Sequence, residues 1–188
     1  LFSVILNYMS NIVGLDVGIG SIKAVSISKG KDKIFLDEIG EVKTPKIDWI
    51  KGDTKGQAIK EVATSIRNLL KDIKCKARQA VACLPEEQIV SRLVSLPPLK
   101  ESEVMDALKF EAETFVPYPL EEVTIDYEIV EKDDSGKFKV FVVAARNDLI
   151  AAYVKLFRAA GLELVALEST GVAMRRVIRL SMPNVNSM

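Results

Sequence analysis

A glycine-rich turn near the start of the chain joins two apolar segments and constrains the first part of the fold. The turn contains Gly18 and Gly20, and apolar residues alternate before and after it, which predicts a β-hairpin over residues 11 to 28. Because a strand follows the turn, a Rossmann unit is excluded, since its glycine loop opens a helix. The GxxxxGK[ST] order of a P-loop is also missing.

The segments that follow predict a mixed α/β fold. A third strand, an amphipathic helix and a short apolar strand are expected at Ile34–Val42, Thr54–Ile73 and Gln79–Leu84. Thr54 and Gln57 have the spacing of a capping box at the start of the helix. The resulting order is β-β-β-α-β.

The stretch after Pro85 looks like an inserted unit with its own strands and helices. The expected elements are a strand at Ile89–Leu96, a helix at Glu101–Phe115, a hairpin with strands near 123–129 and 138–142, and a helix from Asn147 with the apolar stripe Ile150, Tyr153, Val154 and Phe157. Gly161 is expected to end that helix, and a strand at Glu163–Leu167 and a helix from Ser169 or Thr170 follow.

Composition excludes several kinds of chemistry. The 188 residues include no histidine, so a Ser-His-Asp triad and histidine metal ligands are excluded. Lys plus Arg and Asp plus Glu number 26 each, so no charge imbalance indicates nucleic-acid binding. The two cysteines are too few for a four-thiolate zinc site, and a reducing cytoplasm is the simpler interpretation.

Membrane attachment is expected to require a partner. The longest apolar run outside predicted strands, Leu1–Leu6, is far shorter than the roughly 20 residues that cross a bilayer. Residues 1 to 10 are interpreted as an N-terminal extension, and residues 183 to 188 as a frayed polar tail.

The hairpin turn carries residues suited to binding phosphate. Gly18 and Gly20 would let backbone N–H groups approach anionic oxygens, while Ser21 would add a hydroxyl donor and Lys23 a cation. Asp16 could hold a magnesium ion through water. The alternative is an ordinary β-hairpin in which Asp16 caps the turn.

Longer segments strengthen the phosphate interpretation through a family resemblance. The loop Asp16–Lys23 resembles the first phosphate loop of the actin-like ATPase superfamily, which includes actin, Hsp70 chaperones, sugar kinases and FtsA. Between about residues 11 and 180 the chain is similar to the PilM family of type IV pilus assembly, with the matching segments at Leu84–Pro97, Ala107–Val123, Asp126-Tyr127, Val142–Arg146 and Ala159–Ser169.

The resemblance implies an actin-like, ribonuclease-H-like first lobe with a small α+β insertion of the FtsA and PilM type. Residues 11–85 plus 161–182 would form subdomain 1A, and residues 86–160 the inserted subdomain 1C. It also implies ATP and Mg²⁺ as cofactors, with Asp16 as the metal contact. The chain ends where a second lobe should supply further phosphate and adenosine loops, so weak or absent binding and no hydrolysis by this chain alone are expected.

The resemblance further implies a partner, the N-terminal peptide of a PilN-like inner-membrane protein, alongside other pilus platform proteins. Phe115 and Tyr118 are the candidate peptide anchors. The alternative for Phe115 is a core position on the stripe of Val104, Leu108 and Ala112. This interpretation places the chain in the cytoplasm, peripheral to the inner membrane through its partners.

Two other functions stay open at this point. The chain could be half of an actin-like ATPase or kinase with another role, or a nucleotide-independent interaction module. Several further residues have both a functional and a plain structural interpretation. Glu111 could be a buried, paired carboxylate or face solvent, and Arg146 could brace the subdomain interface or face solvent. Asp126 is expected on the polar face of its strand, and Glu168 could approach the nucleotide cleft or be a carboxylate at a helix N-terminus. Cys83 is expected to be buried, and neither it nor Cys75 is treated as catalytic.

Overall fold

A computed structural model describes residues 12–31, 33–45 and 56–181. The described chain divides into two compact units, one formed by the residues up to Leu84 and from Ala151 onward, the other by Pro85–Ile150. In chain order the elements are β1 (Ile12–Val17), β2 (Ser21–Lys29), β3 (Ile34–Lys43), α1 (Gln57–Asp72), β4 (Gln79–Leu84), β5 (Ile89–Leu96), α2 (Val104–Ala112), β6 (Val123–Lys132), β7 (Phe138–Arg146), α3 (Asn147–Ala160), β8 (Glu163–Ser169) and α4 (Thr170–Ser181).

The first unit contains a five-stranded sheet with the order β3-β2-β1-β4-β8. Strands β1, β2 and β3 are antiparallel neighbours, whereas β4 runs parallel to both β1 and β8. Val13, Leu15 and Val17 of β1 are buried, while Gly14 and Asp16 point to the other face. The predicted β-β-β-α-β order is confirmed, and Asp16 lies on the more open face of the sheet.

Helix α1 packs on the opposite face from Asp16. Its buried positions recur at helical spacing along the whole helix: Ala58, Val62, Ala63, Ile66, Leu69 and Leu70. The helix begins after Gly56, whose φ of 67° suits glycine. The predicted capping residue Thr54 lies outside the described residues.

The apolar stripe of α3 differs from the prediction at one position. Tyr153, Leu156 and Phe157 are fully buried, but Val154 is 40% exposed. Because successive helical residues are about 100° apart, the buried face that contains Tyr153 and Phe157 continues through Leu156 rather than Val154. Gly161 follows the helix with a φ of 81°, as its position predicted.

The second unit is a three-stranded antiparallel sheet, β5-β7-β6, with helix α2 packed on it. Its core combines strand residues with Val104 and Leu108 of α2, both fully buried. The helix is shorter than the predicted Glu101–Phe115, because residues 101–103 form a 3₁₀ turn and Thr114 Oγ1 donates to Glu111 O at 2.7 Å where the helix unwinds.

The compact second unit ends at Ile150, so most of α3 groups with the first unit. The subdomain bounds implied by the family resemblance, 11–85 plus 161–182 and 86–160, stay a prediction. The proposed extension, residues 1–10, and the tail, residues 183–188, lie outside the described residues. Among the residues that the structure describes, no helix is long and apolar enough to cross a membrane.

Candidate functional site

The glycine turn between β1 and β2 is held in place by Thr44, just after β3. Thr44 Oγ1 donates a 2.6 Å hydrogen bond to Gly18 O, and Thr44 N donates one of 3.2 Å to Gly20 O. Gly18 N donates to Ser21 O at 3.0 Å and closes the turn. Sequence reasoning missed Thr44, although the pairing of Ser21 with Lys43 in the sheet places it beside the turn.

The two glycines of the turn have different surroundings. A Cβ at Gly18 would lie 3.1 Å from Ser21 O, a tight contact that would require the backbone of the turn to shift by a few tenths of an ångström. A Cβ at Gly20 would have no atom within 4 Å, which leaves the backbone open to an approaching group. Neither glycine has a positive φ. Since the amide of Gly18 is already used in the turn, Gly20 is the more accessible of the two predicted contacts.

A row of polar side chains crosses the sheet beside this turn. Cross-strand pairing places Lys23 opposite Asp16 and Glu41, and Cys83 opposite Asp16 and Glu168. All five residues line one cavity of about 610 Å³. We call these five residues the charged row. Lys23 Nζ lies 4.0 Å from Asp16 Oδ2, and both side chains are more than half exposed.

The rest of the cavity is mainly apolar. Two residues before Asp16 on β1, Gly14 pairs with Val25 of β2 and with Val81 of β4, and Val25 pairs in turn with Ile39 of β3. A Cβ on Gly14 would lie 3.1 Å from Val25 Cγ1, so the absence of a side chain at Gly14 leaves space in the cavity above the sheet at this point. The cavity therefore offers an apolar floor next to a charged rim.

One end of the charged row is neutralised by an ion pair. Arg176 of α4 donates to Glu168 Oε1, and both side chains are largely buried. Ser169, the next residue, is buried and its Oγ accepts a 3.2 Å hydrogen bond from Val172 N at the start of α4. Glu168 thus lines the cavity and lies two residues before the first residue of α4, and its approach to a nucleotide stays a prediction.

The described residues contain no cluster of three or more acidic or cysteine side chains arranged to hold a metal ion. Among the predicted site residues, Asp16 is the one that carries a carboxylate. A magnesium ion at this place would take its remaining ligands from water and from a bound phosphate. Asp16, Lys23 and the exposed backbone at Gly20 are suited to contact one side of such a magnesium-bound phosphate.

The two predicted partner anchors lie in the second unit, and each is stacked by an arginine. The Arg92 guanidinium lies 5.3 Å from the centroid of the Phe115 ring, and that of Arg146 lies 5.4 Å from the Tyr118 ring. Phe115 is half-buried and packs against both apolar clusters of this unit. Tyr118 is 39% exposed, so the two anchors differ in how much surface they present.

Arg146 is fixed by a second interaction. Its Nε donates to Asp148 Oδ1 at 3.0 Å, and Nη2 pairs with Oδ2 of the same carboxylate. The hydrogen bond and charge of Asp148 raise the pKa of Arg146 above its ordinary value. Arg146 is thus held against the ring of Tyr118 by a bidentate ion pair.

The remaining residues singled out in the sequence have modest environments. Glu111 is exposed and lines a cavity of about 200 Å³ with Arg92 and Phe115. Asp126 is exposed, and its Oδ1 accepts a hydrogen bond from Tyr127 N. The two cysteines form no disulfide. The expectation that Cys83 is buried was wrong, because it is partly exposed on the cavity wall.

Comparison with known proteins identifies the family. The family model described as type IV pilus assembly protein PilM matches residues 14–187. A chain of a PilM–PilN type IV pilus biogenesis complex superposes with a TM-score of 0.78 at 24% identity, covering 92% of this chain and 51% of that chain. The cytoplasmic domain of EpsL, an inner-membrane component of the Vibrio cholerae type II secretion system, gives 0.54 at 15% identity, covering 85% of this chain and 57% of that domain.

The chain thus spans little more than half the length of the solved structures it matches. Its mixed α/β architecture, which the sequence predicted, is that of the superposed PilM–PilN chain over 92% of its length. The family model covers nearly the whole chain. The chain belongs to the type IV pilus assembly protein PilM family.

Proposed function

We propose that this chain is an actin-fold component of a type IV pilus assembly platform and binds the N-terminal peptide of a PilN-like inner-membrane protein from the cytoplasmic side. The observation that carries the proposal is the similarity of 92% of the chain to a structure solved as a PilM–PilN complex. Association with other platform proteins would follow from the same role.

Tyr118 is the stronger of the two proposed peptide anchors. Aromatic residues dominate binding energies at interfaces when they are presented on a fixed surface. Tyr118 is partly exposed and is held by Arg146, which is itself fixed by Asp148. Phe115 contributes to the core of the second unit as well, so its substitution would affect both folding and binding.

A peptide titration tests these anchors. A labelled peptide with the N-terminal sequence of the cognate PilN-like protein is titrated with the chain, and fluorescence anisotropy is recorded. We expect Tyr118→Ala to weaken binding about tenfold or more, and Tyr118→Phe to retain most of it because the ring is kept. Phe110→Ala is the matched control, since Phe110 is an aromatic residue of the same unit that is 80% exposed. Equal binding by Tyr118→Ala and the wild type would refute the anchor.

We also propose that the glycine turn is half of a site for ATP and magnesium. Asp16 would contact the metal through water, and Lys23, Ser21 and the backbone at Gly20 would face the phosphates, while Gly18, whose amide donates to Ser21 O, would hold the turn closed. Bound magnesium would neutralise phosphate charge and link the nucleotide to Asp16. The support is the open backbone at Gly20 and the Lys23 ammonium 4.0 Å from the Asp16 carboxylate. Transfer of a phosphoryl group requires charged and polar groups on several sides of it, and the residues of this turn lie on one side only. We therefore propose that this chain binds ATP rather than hydrolyses it.

A thermal-shift titration with ATP and magnesium tests the half-site. The wild type should be stabilised as the nucleotide concentration rises, because a ligand that binds the folded state shifts the unfolding equilibrium. Asp16→Ala should lose the response, while Asp126→Ala, which removes an exposed carboxylate from the second unit, should keep it. Identical curves for the wild type and Asp16→Ala would remove the support for this assignment.

A further inference from the structure

The β2–β3 hairpin has an apolar face at the end that is farther from the glycine turn. We call residues 27–36, which form this end, the hairpin tip. Ile27 lies directly opposite Leu36 and Lys29 directly opposite Ile34, so these four side chains share one face. Five apolar residues on this face are partly or largely exposed: Val25, Ile27, Ile34, Leu36 and Ile39. A continuous exposed apolar surface of this kind marks a place of contact with another molecule or with a membrane.

The opposite face of the hairpin tip is mainly polar. The Ser28 hydroxyl on that face donates a 2.9 Å hydrogen bond to Asp37 Oδ1, just beyond the tip. Phe35 is the apolar exception, and it packs on the turn, where a Cβ at Gly30 would lie 2.8 Å from Phe35 Cε2. The tip is therefore amphipathic, which is the property of elements that lie in the interface of a membrane.

The turn that joins β2 and β3 is cationic. Lys29, Lys31 and Lys33 are exposed, and Asp32 is the one acidic residue in the sequence from 29 to 33, which gives a formal net charge of +2. None of the three lysines forms an ion pair with a residue that the structure describes. Gly30 N donates to Lys33 O at 2.8 Å and closes the turn. Three ammonium groups are thus held beside the apolar face.

The β6–β7 hairpin of the second unit provides an internal comparison. Its end, residues 131–139, carries three lysines and three acidic residues, so its formal net charge is zero. Lys139 Nζ pairs with Glu131 Oε2 at 2.9 Å. Of these two hairpins, only β2–β3 has a net positive end.

We propose that the hairpin tip binds directly to the surface of an anionic phospholipid bilayer. The apolar face enters the boundary between the headgroups and the acyl chains, and the lysines contact lipid phosphates while their aliphatic stems cover apolar surface. A nucleic acid would leave the apolar side chains uncovered, and an apolar protein surface would leave the lysines without partners. An anionic bilayer satisfies both. This contact adds to any attachment through a PilN-like protein and does not depend on the glycine turn.

Sedimentation with lipid vesicles tests the contribution of the lysines. The 188-residue chain is mixed with vesicles of phosphatidylglycerol and phosphatidylcholine, or of phosphatidylcholine alone, and the bound fraction is measured as the salt concentration rises. We expect binding to the mixed vesicles to weaken with salt, and binding to phosphatidylcholine alone to be at least about tenfold weaker.

Two triple variants separate the tip from other lysines. Lys29→Gln, Lys31→Gln and Lys33→Gln together should weaken binding to the mixed vesicles about 100-fold, since each lysine near an anionic surface contributes about fivefold. The matched control changes the same number of lysines at the β6–β7 hairpin and should bind as the wild type does. Its substitutions are Lys132→Gln, Lys137→Gln and Lys139→Gln.

Tryptophan fluorescence tests whether the apolar face enters the bilayer. Leu36→Trp is made together with Trp49→Phe, so that the new tryptophan is the only one in the chain. We expect its emission to shift to shorter wavelength with the mixed vesicles and to be quenched by brominated acyl chains. Leu93→Trp in the same background is the matched control, because Leu93 is 55% exposed, close to the 60% of Leu36, but lies in the second unit. It should show neither effect.

Several results would overturn the proposal. They are equal vesicle binding by the tip variant and the wild type, an equal loss in both triple variants, and equal fluorescence changes for Leu36→Trp and Leu93→Trp. Absence of vesicle binding together with self-association that Leu36→Ser abolishes, measured by analytical ultracentrifugation, would instead assign the face to a second copy of the chain. Peptide binding is measured without lipid, so these outcomes leave the proposed pilus function untouched.

Discussion

Gly40→Ala tests how closely β3 packs against α1. A Cβ on Gly40 would lie 2.5 Å from Ile73 Cγ2 and 2.9 Å from Leu69 Cδ1, whereas carbon atoms in contact are normally about 3.5–4.0 Å apart. Leu69 is buried, whereas Ile73 is half-buried at the end of α1 and can partly yield. We expect a loss of about 1–3 kcal/mol in the free energy of unfolding, the usual range for overpacking.

Urea unfolding followed by circular dichroism measures this loss. Gly20→Ala is the matched control, because its Cβ would meet no atom within 4 Å, and its free energy of unfolding should change by less than about 0.5 kcal/mol. Ile73→Ala removes the Cγ2 atom that the new methyl group would strike. The double variant should therefore lose less stability than the sum of the two single variants. A Gly40→Ala variant as stable as the wild type, or strict additivity in the double variant, would refute the packing argument.

Three other predictions concern single residues. Ser135→Ala should raise the pKa of Asp133, because the Ser135 hydroxyl at 2.7 Å and the Lys137 amide at 2.9 Å hold that pKa below its ordinary value. The stability that the ionised Asp133 contributes is present at neutral pH and is lost as pH falls through its folded pKa. NMR titration of the Asp133 carboxyl carbon measures the change. Leu108→Ala should cost about 2–5 kcal/mol and speed amide exchange in β7, because Leu108 is fully buried, whereas Phe110→Ala should leave exchange unchanged. Gly161→Ala should lower the free energy of unfolding by about 1 kcal/mol, because its φ is 81°, and Gly161→Asn should lose less.

The sequence predicted the fold where the hydrophobic period was strong. The apolar residues of β1 identified the strand, and the helical period identified α1. The prediction was less accurate where a single side-chain hydrogen bond or the exact angle around a helix determines the structure. The hydroxyl of Thr114 bonds the backbone where α2 ends, and Val154 falls just outside the buried face of α3 although it neighbours Tyr153 in the sequence.

The candidate site could be predicted only as far as one hairpin extends. Asp16 and Lys23 are close along the chain, so their proximity follows from the turn between them. Glu41 and Cys83 reach the same cavity through strand order and register, which a periodic pattern does not specify. Glu168 was a candidate because it ends a strand, but its place beside Cys83 also depends on register. Thr44 was missed for the same reason, since its role depends on the pairing of β3 with β2.

Calorimetric titration of the 188-residue chain with the N-terminal peptide of its cognate PilN-like protein tests the proposed pilus role most directly. A scrambled peptide of the same composition serves as the control. We predict saturable binding with one peptide per chain and no heat change with the scrambled peptide. Absence of saturable binding, or equal binding of both peptides, would contradict the proposal that this PilM-family chain recognises a PilN-like partner.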